Sequence, residues 1–396
     1  MASNHDIASP LLGTIFKVAV AVGDSVHAKQ EILIIESMKM GHPVEAGVDG
    51  VVASIAVAEG DTIAAGQVLV SITPGAVAVH ASTESSNQPA HERDDLARYR
   101  ERRRLTTDEA RPEAVARRAA KGQRTARANI ADLVDEGSFV EYGSFAVAAQ
   151  RQRRELDDLI RNTPADGLVG GIATVNTAEF GEDAARIAVA SYDYTVLAGT
   201  QGFLNHRKKD RLFSVAEQLR TPVVLFAEGG GGRPGDTDAA GVAGLDGPAF
   251  ALFARLSGLV PLVGITSGYC FAGNAALLGC CDVVIATENS NIGMAGPAMI
   301  EGGGLGVVKP TDIGPIDVQT ANGVVDIRVA DEAAAVAAAK KYLGFFQGAT
   351  KNWTRHDDEI LRDLIPEQRT RVYDVRTVIN ALADIDSALE LRPSFG

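Results

Sequence analysis

The stretch Glu36-Ser37-Met38-Lys39-Met40 decides the fold of the N-terminal region, because it lies between two copies of one short pattern. Residues 23–26 are Gly-Asp-Ser-Val, and 37 positions later residues 60–63 are Gly-Asp-Thr-Ile. In each copy Gly-Asp supplies a turn and a short β-branched run follows, as in a strand. Two such copies predict a small two-fold symmetric β-sandwich. The periodicity alone leaves open a β-barrel with a purely structural role.

The pattern places Lys39 at the tip of an exposed hairpin, where its amine is accessible to modification, although a lone lysine is ordinarily a solvated surface charge. The segment resembles the biotinyl domain family over nearly all of residues 8–72, through SPLLGTI, VGDSV, ESMKM, GVV and GDTIAAGQVL. Met-Lys-Met is that family's attachment signature. The resemblance therefore implies a covalent biotin on Lys39, flanked by Met38 and Met40. Lipoyl domains share this fold but typically lack methionine on both sides of the lysine.

The segment that follows is polar, poor in large apolar residues and without periodicity, so it predicts a flexible linker over residues 75–95. The domain organisation predicted from this is a biotinyl carrier domain at 1–74, the linker, and a larger domain at 96–396. A biotin on a lysine arm and a mobile domain would have a raised effective concentration at distant sites.

The overall composition restricts the function classes. The 396 residues are 46% hydrophobic with a net charge of -13, which argues against a nucleic-acid binder. The three cysteines, Cys270, Cys280 and Cys281, are an odd number without metal-ligand spacing and point to a reducing compartment. The N-terminus lacks signal-peptide features, and no apolar run approaches the ~18 residues that span a bilayer. We therefore expect a cytosolic protein that binds neither nucleic acid nor membranes.

Residues 93–127 are basic, with twelve Lys or Arg against six Asp or Glu. Apolar residues recur there at helical spacing, and Pro112 is placed as at a helix start. Two interpretations fit this stretch. It is either a solvated helix with many salt bridges or a surface that attracts an anion such as the phosphates of coenzyme A. Residues 121–141 resemble the opening motif of acyl-CoA carboxyltransferase subunits.

From Phe139 onward, short apolar β-branched runs alternate with helical ones, for example PVVLFAE, PAFALFARLSG, PLVGITSG, AALLGC and DVVIAT. Buried, near-continuous apolar strands that alternate with helices predict an α/β fold. Several such pairs in series predict a stacked ββα spiral.

Two glycine-rich loops follow predicted strands, at residues 228–233 and 268–277. Neither is a dinucleotide-binding or P-loop motif. A glycine at a strand end is usually a tight turn. Together, however, the loops supply two sets of backbone N–H groups, one of them at a helix start, which can stabilise an enolate without any side chain.

GYCFAGNAALLGCCDVVIA (268–286) is similar, without gaps, to the crotonase-superfamily pattern GYAxAGG…L…CD. The resemblance implies that the N–H of Gly273 is an oxyanion donor, with Asn274 in place of the next glycine. The 228–233 loop resembles the DSGGAR-type loop of carboxyltransferases, which implies Gly230 and Gly231 as partners beside the thioester. TPADGLVGG (163–171) and later segments also resemble the carboxyltransferase N-terminal half, so the resemblance covers about 96–396.

Crotonase-type hydratases have a catalytic Glu three residues after the oxyanion glycine, and this chain has Ala276 there. The difference disfavours hydration and suits carboxyl transfer, in which the family is thought to use the departing biotin enolate as base. Glu301 and Asp236 are alternative bases, although each also fits a turn or surface carboxylate. The sequence departs from the family in residues 198–209 and in the extended EGGGGRPGDTD loop, so the acyl acceptor is open.

The predicted protein is an all-β biotinyl/lipoyl-type domain followed by an α/β crotonase-like domain that transfers CO2 from carboxybiotin to the α-carbon of an acyl-CoA. Its expected partners are a biotin carboxylase, a biotin protein ligase and further subunits of an oligomer. Only one GYCFAGNA loop is present, and residues 366–396 resemble the family's junction with its second half. We therefore expect a second carboxyltransferase half to be required. The alternatives are a hydratase, isomerase or decarboxylase of the crotonase type, and a non-catalytic carrier or assembly subunit.

Overall fold

The computed structural model describes residues 4–75, 93–238 and 247–395. The chain divides into two compact units, Met1–Glu92 and Arg93–Gly396. Most of the linker predicted at 75–95 lies outside the described residues, and its end already belongs to the first helix of the second unit. In the described residues no helix combines the length and apolar character that crossing a bilayer needs.

The described residues of the first unit form eight strands in two four-stranded sheets, with orders β1-β8-β6-β3 and β5-β4-β2-β7. The strands are β1 His5–Ala8, β2 Gly13–Val18, β3 Ser25–Val26, β4 Glu31–Ser37, β5 Met40–Glu45, β6 Gly50–Ile55, β7 Thr62–Ile63 and β8 Val68–Pro74. β6, β7 and β8 begin 37 residues after β2, β3 and β4 (13 to 50, 25 to 62, 31 to 68). The repeat predicted from the sequence is therefore a structural repeat, and the predicted β-sandwich is confirmed.

The two copies share one core because their strands are exchanged. β2 of the first copy pairs with β7 of the second, and β6 of the second pairs with β3 of the first. Residues that match at the 37-residue offset are buried together, among them Ile15 with Val52, Leu33 with Val70, and Ile35 with Ile72. Neither copy can bury its apolar face alone, so the repeat folds as one unit.

The second unit is an α/β structure built on a seven-stranded mixed sheet of order β18-β16-β14-β12-β11-β10-β9 and a three-stranded parallel sheet of order β13-β15-β17. Its strands are β9 Val140–Glu141, β10 Leu168–Thr174, β11 Arg186–Tyr192, β12 Val223–Phe226, β13 Gly229–Gly230, β14 Leu262–Thr266, β15 Tyr269–Phe271, β16 Val283–Thr287, β17 Asn291–Gly293 and β18 Ile327–Val329. Its α-helices are α1 Asp94–Arg104, α2 Pro112–Ala119, α3 Ala126–Leu133, α4 Leu156–Asn162, α5 Thr177–Phe180, α6 Glu182–Ala185, α7 Phe203–Leu219, α8 Ala249–Arg255, α9 Gly273–Leu278, α10 Pro297–Gly302, α11 Ile316–Ala321, α12 Glu332–Gln347 and α13 Val375–Leu382.

The central strands of the large sheet are covered on both faces. Alternate residues of β12 enter two different hydrophobic clusters, with Val223 and Leu225 in one and Val224 and Phe226 in the other. The near-continuous apolar runs of the sequence follow from this two-sided burial.

The predicted ββα spiral is confirmed by three successive units. β12, β14 and β16 each lie in the large sheet, and after two to three residues the chain enters the small sheet as β13, β15 and β17. A helix follows each pair. This arrangement places the two glycine-rich loops side by side, since Gly229 pairs with Cys270 and Gly230 with Phe271.

Candidate functional site

Lys39 lies in a two-residue turn that closes the hairpin of β4 and β5 at the Ser37–Met40 pair. The φ angles of Met38 and Lys39 are 52° and 65°. A type I′ turn needs positive φ at both central positions, and glycine or asparagine usually supplies it. Here two long side chains occupy the turn, Met38 is 94% exposed, and Lys39 is exposed as well. The geometry presents the Lys39 amine to solvent at the tip of the unit, as a lysine that receives a covalent group requires.

The glycine-rich loop after β12 requires glycine at several positions. Gly229 has φ 84° and Gly231 φ 76°, a region that favours glycine. A Cβ at Gly229 would lie 2.3 Å from the carbonyl oxygen of Ala198, and one at Gly230 would lie 2.8 Å from Cβ of Phe271. These close approaches bring backbone, rather than side chains, to the surface of the loop.

The second loop ends in a sharp turn at Ala272, whose φ and ψ are 52° and -124°. Gly273 is the first residue of α9, so the helix itself offers its N–H no acceptor. A Cβ at Gly273 would lie 2.9 Å from Nε2 of Gln201 and 3.1 Å from Cζ of Phe250. Backbone conformations of the Ala272 kind are costly for an L-residue and are typical of functional sites.

The two loops border a cleft of about 730 Å³. Gly230, Gly231 and Ala272 line it, and Gly273 follows directly in the chain. Its lining residues are Tyr194, Ala198, Thr200, Gly229, Gly230, Gly231, Gly232, Pro234, Tyr269, Phe271, Ala272, Gly296, Pro297, Ala298, Met299 and Pro310. Among the described residues that line it there is no Asp, Glu, His, Lys or Arg. The polar groups of this surface are therefore backbone groups and the hydroxyls of Tyr194, Thr200 and Tyr269.

Asn274 lies beneath the cleft rather than in its lining, and its side chain is fully buried. Its Oδ1 accepts a hydrogen bond from Nε2 of Gln201 at 2.6 Å. Its Nδ2 donates to the carbonyl oxygens of Gly199 at 3.1 Å and of Glu228 at 2.7 Å. The side chain thus fastens the 228–233 loop to the start of α9. Sequence reasoning did not find Gln201, since it is 73 positions away and no local pattern links the two residues.

Asn274→Asp is expected to lower the free energy of unfolding of the second unit by about 2–4 kcal/mol, because two buried carbonyl oxygens lose their donor and face a carboxylate. Denaturant titration followed by the helical circular-dichroism signal measures the change. Asn352→Asp, at an exposed asparagine outside the helices and strands, is the matched control, with an expected change within ~0.5 kcal/mol. Equal stabilities of the two variants would contradict the role given to Asn274.

The far end of the first loop is held by a buried ion-pair cluster. Arg233 pairs with Asp166 and lies 3.5 Å from Asp236. The two carboxylates also accept hydrogen bonds from the backbone N–H groups of Asn205 and Phe203 in the first turn of α7. Asp236, which the sequence offered as an alternative base, is buried and hydrogen-bonded in this cluster. Glu301, the other carboxylate weighed, is exposed on α10.

Glu228 begins the loop and is held by a guanidinium from the basic N-terminal stretch. Arg118 donates to the two carboxylate oxygens of Glu228 at 2.5 and 2.9 Å and lies 3.7 Å from Glu332. Burial raises the pKa of Glu228 to about 7, against the lowering effect of Arg118. Removal of Arg118 would leave two buried carboxylates without their cation, at a cost of about 3–5 kcal/mol.

Other charges of the basic stretch are also paired. Besides Arg118, ion pairs join Arg104 to Glu101, Arg111 to Asp193, Arg124 to Asp132 and Arg127 to Glu141. Of the two interpretations left open by the sequence, a solvated helix with many salt bridges and an anion-attracting surface, these contacts favour the salt bridges. The pairs of Arg111 with Asp193 and Arg127 with Glu141 also reach residues outside the helices, so the stretch is not simply solvated. Lys121 lies 5.9 Å from the ring centroid of Tyr194, at the edge of the cleft.

The comparisons with known proteins cover both units. Residues 5–72 match the family described as biotin-requiring enzyme, and residues 117–396 match the family described as carboxyl transferase domain. The 12S subunit of methylmalonyl-CoA carboxyltransferase from Propionibacterium freudenreichii subsp. shermanii is 29% identical over 293 residues, which are 71% of this chain and 53% of that protein. The biotin-dependent long chain acyl-coenzyme A carboxylase beta4 subunit of Mycobacterium tuberculosis is 30% identical over 316 residues, 76% of this chain and 57% of that protein.

Solved structures of carboxylases and transcarboxylases also resemble this chain. A single-chain, multi-domain long-chain acyl-CoA carboxylase is 51% identical with a TM-score of 0.75, over 100% of this chain and 38% of that one. A chain of the transcarboxylase 12S structure, which is a hexamer, is 26% identical to this chain with a TM-score of 0.61. The match covers 76% of this chain and 58% of the transcarboxylase chain. The chain spans about half the length of the curated relatives it matches.

Proposed function

The chain belongs to the carboxyl transferase family and carries a biotin-requiring domain, and from this premise we propose that it moves CO2 from a biotin on Lys39 to the α-carbon of an acyl-CoA. The observation that carries the proposal is the cleft between the two glycine-rich loops, whose described lining consists of glycine backbone and uncharged side chains and contains no Asp, Glu, His, Lys or Arg. A surface of this kind can stabilise a developing enolate oxygen, and Ala276 stands where crotonase-type hydratases have their catalytic Glu.

Lys39 fits the attachment of the cofactor, because its amine stands at the exposed end of a rigid hairpin. When bound, biotin supplies the ureido nitrogen that carries CO2. Met38 and Met40 keep apolar side chains exposed beside it, and a modifying enzyme would recognise the hairpin through them. A biotin protein ligase is therefore a proposed partner.

In the cleft the thioester oxygen of acyl-CoA would accept hydrogen bonds from the amides of Gly230, Gly231 and Gly273. Each donor to a developing oxyanion typically contributes on the order of 10²–10³ in rate. Asn274 and Arg233 do not meet the substrate in this proposal, since both are buried beneath the loops. They hold the amides in place. No carboxylate, histidine or lysine of the described lining is available as the base that takes the α-proton, which suits a base supplied by the departing biotin.

The names of the relatives support an acyl-CoA substrate. The carboxylases and transcarboxylases that resemble this chain are named for propionyl-CoA, methylmalonyl-CoA or long-chain acyl-CoA. We propose a second carboxyltransferase half as a further partner, because the chain spans about half the length of these relatives. We also propose a biotin carboxylase, because the biotin on Lys39 has to be loaded with CO2 before transfer. The cytosol is the proposed compartment, since Cys270, Cys280 and Cys281 are unpaired thiols.

An exchange assay tests the proposal against its two rivals. The biotinylated chain is incubated with a biotin carboxylase, ATP, labelled bicarbonate, a second carboxyltransferase half and a panel of CoA thioesters. Label in the acyl-CoA is the expected result. Label that reaches the protein but no thioester would indicate a carrier or assembly subunit, and turnover of an enoyl-CoA without biotin would indicate a crotonase-type hydratase.

Without the second half, the chain is expected to bind acyl-CoA and to transfer negligible CO2, because it spans about half the length of its curated relatives and residues 366–396 resemble the family's junction with a second half. Isothermal titration of acyl-CoA into the chain measures the binding, and the exchange assay measures transfer before and after the second half is added. Robust transfer by the chain alone would show that one half is sufficient.

A further inference from the structure

A small cavity adjoins the start of the 228–233 loop, among residues of α3, β11, β12, β14 and α12. Its volume is about 10 Å³, close to the least that holds one water molecule. Asn129 and Ser191 line it and are 6% and 0% exposed. Oδ1 of Asn129 and Oγ of Ser191 form no hydrogen bond within the described residues. Because buried polar atoms are nearly always hydrogen-bonded, two such oxygens in one wall indicate a polar ligand.

Two carboxylates in the same wall help to identify that ligand. Glu228 and Glu332 both line the cavity. Nδ2 of Asn129 donates to Oε1 of Glu332 at 3.3 Å, and since a carboxylate only accepts, Oδ1 is the amide atom left for the ligand. A water molecule can accept a hydrogen bond from the Ser191 hydroxyl and donate to Oδ1 of Asn129 and to a carboxylate oxygen. One water therefore satisfies both unbonded oxygens.

The two carboxylates share one cation. Arg118 donates to both oxygens of Glu228, at 2.5 and 2.9 Å, and lies 3.7 Å from Glu332. The backbone N–H of Arg124 also donates to Glu332, at 2.8 Å. Within the described residues, Arg118 supplies the only hydrogen bonds to the Glu228 carboxylate. The cluster thus carries one negative charge in excess, and a proton that neutralises it belongs on Glu228.

Other titratable groups that face Glu228 leave this excess in place. Asp193 adds a negative charge, which Arg111 compensates at 2.8 Å. Tyr194 and Cys270 also interact electrostatically with Glu228. Because burial raises the pKa of both groups, they are neutral near neutral pH.

Glu228 also lines a larger pocket, of about 410 Å³. The other titratable side chains of that pocket are Lys121, Tyr194, Tyr269 and Glu288. Lys121 and Glu288 are exposed, so a proton can reach Glu228 from bulk water. Burial raises the pKa of this carboxyl to about 7, against the lowering effect of Arg118. The proton therefore exchanges near neutral pH.

We propose that the cavity binds one water molecule and one proton, and that Glu228 is a positioning residue whose charge fixes the loop with the amides of Gly230 and Gly231. The part that concerns catalysis rests on the proposed carboxyl transfer. When Glu228 is ionised, Arg118 holds its side chain through two charge-assisted bonds, while Asn274 holds its backbone carbonyl at 2.7 Å. A proton on one carboxyl oxygen ends the ion pair and the two-fold contact with Arg118, so the start of the loop is held through its backbone alone.

Infrared difference spectra of the full chain, recorded against pH, test the proton site without any substrate. A carboxylic-acid band is expected to disappear as the pH rises through about 7, and to be missing in Glu228→Gln. Glu179→Gln, at an exposed glutamate of the same unit, is the matched control and should keep the band. A crystal structure should show one ordered water within hydrogen-bond distance of Oδ1 of Asn129 and Oγ of Ser191. A band that Glu228→Gln does not remove, or a cavity without that water, would overturn the site.

The exchange assay with the second half present tests the catalytic consequence. The rate of the unmodified chain is divided by that of Glu228→Gln at each pH, which cancels the pH dependence of carboxybiotin and of the partner. The ratio is expected to reach up to about 10² at alkaline pH, the typical cost of a small displacement of a catalytic group. It should fall towards one as the pH decreases through about 7 and Glu228 takes up its proton. Glu228→Asp keeps a titrating carboxylate and should retain the fall in rate at acidic pH.

The outcomes separate this inference from the function on which it rests. If no thioester is labelled, the proposed function fails and the positioning role fails with it, whereas the proton site stands or falls by the infrared titration. If Glu228→Gln keeps its helical circular-dichroism signal and the rate ratio is the same at every pH, Glu228 has only a structural role and the positioning part is wrong.

Discussion

Lys39→Arg is expected to abolish biotinylation of this chain completely. Arginine keeps the positive charge and nearly the same reach, but its guanidinium stays protonated at any pH that proteins tolerate and does not act as the nucleophile that an amine provides. Lys39 is exposed in a turn, and its side chain makes no hydrogen bond or ion pair within the described residues. The free energy of unfolding of the variant should therefore lie within ~0.5 kcal/mol of that of the parent.

Intact-mass analysis after co-expression with a biotin protein ligase measures the effect. Lys29→Arg is the matched control, because Lys29 is another exposed lysine in a turn of the same unit. We expect one biotin on the parent and on the Lys29 variant and none on the Lys39 variant. An adduct that remains on Lys39→Arg, or one that is missing from the parent, would show that the attachment site is wrong.

The first unit could be predicted from the sequence almost completely, because its information is local and repeated. The 37-residue offset fixes which strands correspond, and the alternation of buried residues such as Leu33 and Ile35 follows from it. The turn geometry was not predictable. Met-Lys has none of the Asn-Gly signal of a type I′ turn, and the positive φ of Met38 and Lys39 is imposed by the pairing of β4 with β5 on either side.

In the second unit the class of fold and the two loops were predictable, whereas the contacts that hold the loops were not. Arg118 lies 110 positions before Glu228, and Asn274 lies 75 positions after Gly199. Contacts over such separations leave no periodic signal. A sequence that shows a basic stretch therefore cannot tell a solvated helix from one tied into the core by buried carboxylates.

Because such contacts leave no local signal, the sequence also did not show that the residues predicted together for the site have different positions in the fold. Gly230 and Gly231 line the cleft, and Gly273 begins the helix behind Ala272. Asn274 points its side chain to three groups beneath the loops. Gly273 and Asn274 are adjacent in the chain, yet the first lies next to the cleft surface and the second belongs to the packing beneath it. The roles of all four residues remain predictions for the exchange assay.

Gly273→Pro is expected to reduce carboxyl transfer to acyl-CoA by about 10²–10³ relative to Gly273→Ala, the typical effect of losing one oxyanion donor. Proline fits the first position of a helix and removes the N–H that the helix leaves unpaired there. Alanine keeps that N–H and brings the same new Cβ, which crowds Nε2 of Gln201 and Cζ of Phe250 in both variants. The ratio of the two rates therefore isolates the hydrogen-bond donor from the crowding.

The rates are measured by the exchange assay with the second carboxyltransferase half present, and two controls accompany them. Biotinylation of Lys39 should be the same in both variants, because it belongs to the other unit. The helical circular-dichroism signal has to match as well, since proline also restricts Ala272, which already has an unusual backbone conformation. If folded proline and alanine variants transfer CO2 at the same rate, the Gly273 amide is not a donor to the enolate. The negative charge would then have to be met by the amides of the 228–233 loop alone, and α9 would serve only to carry Asn274.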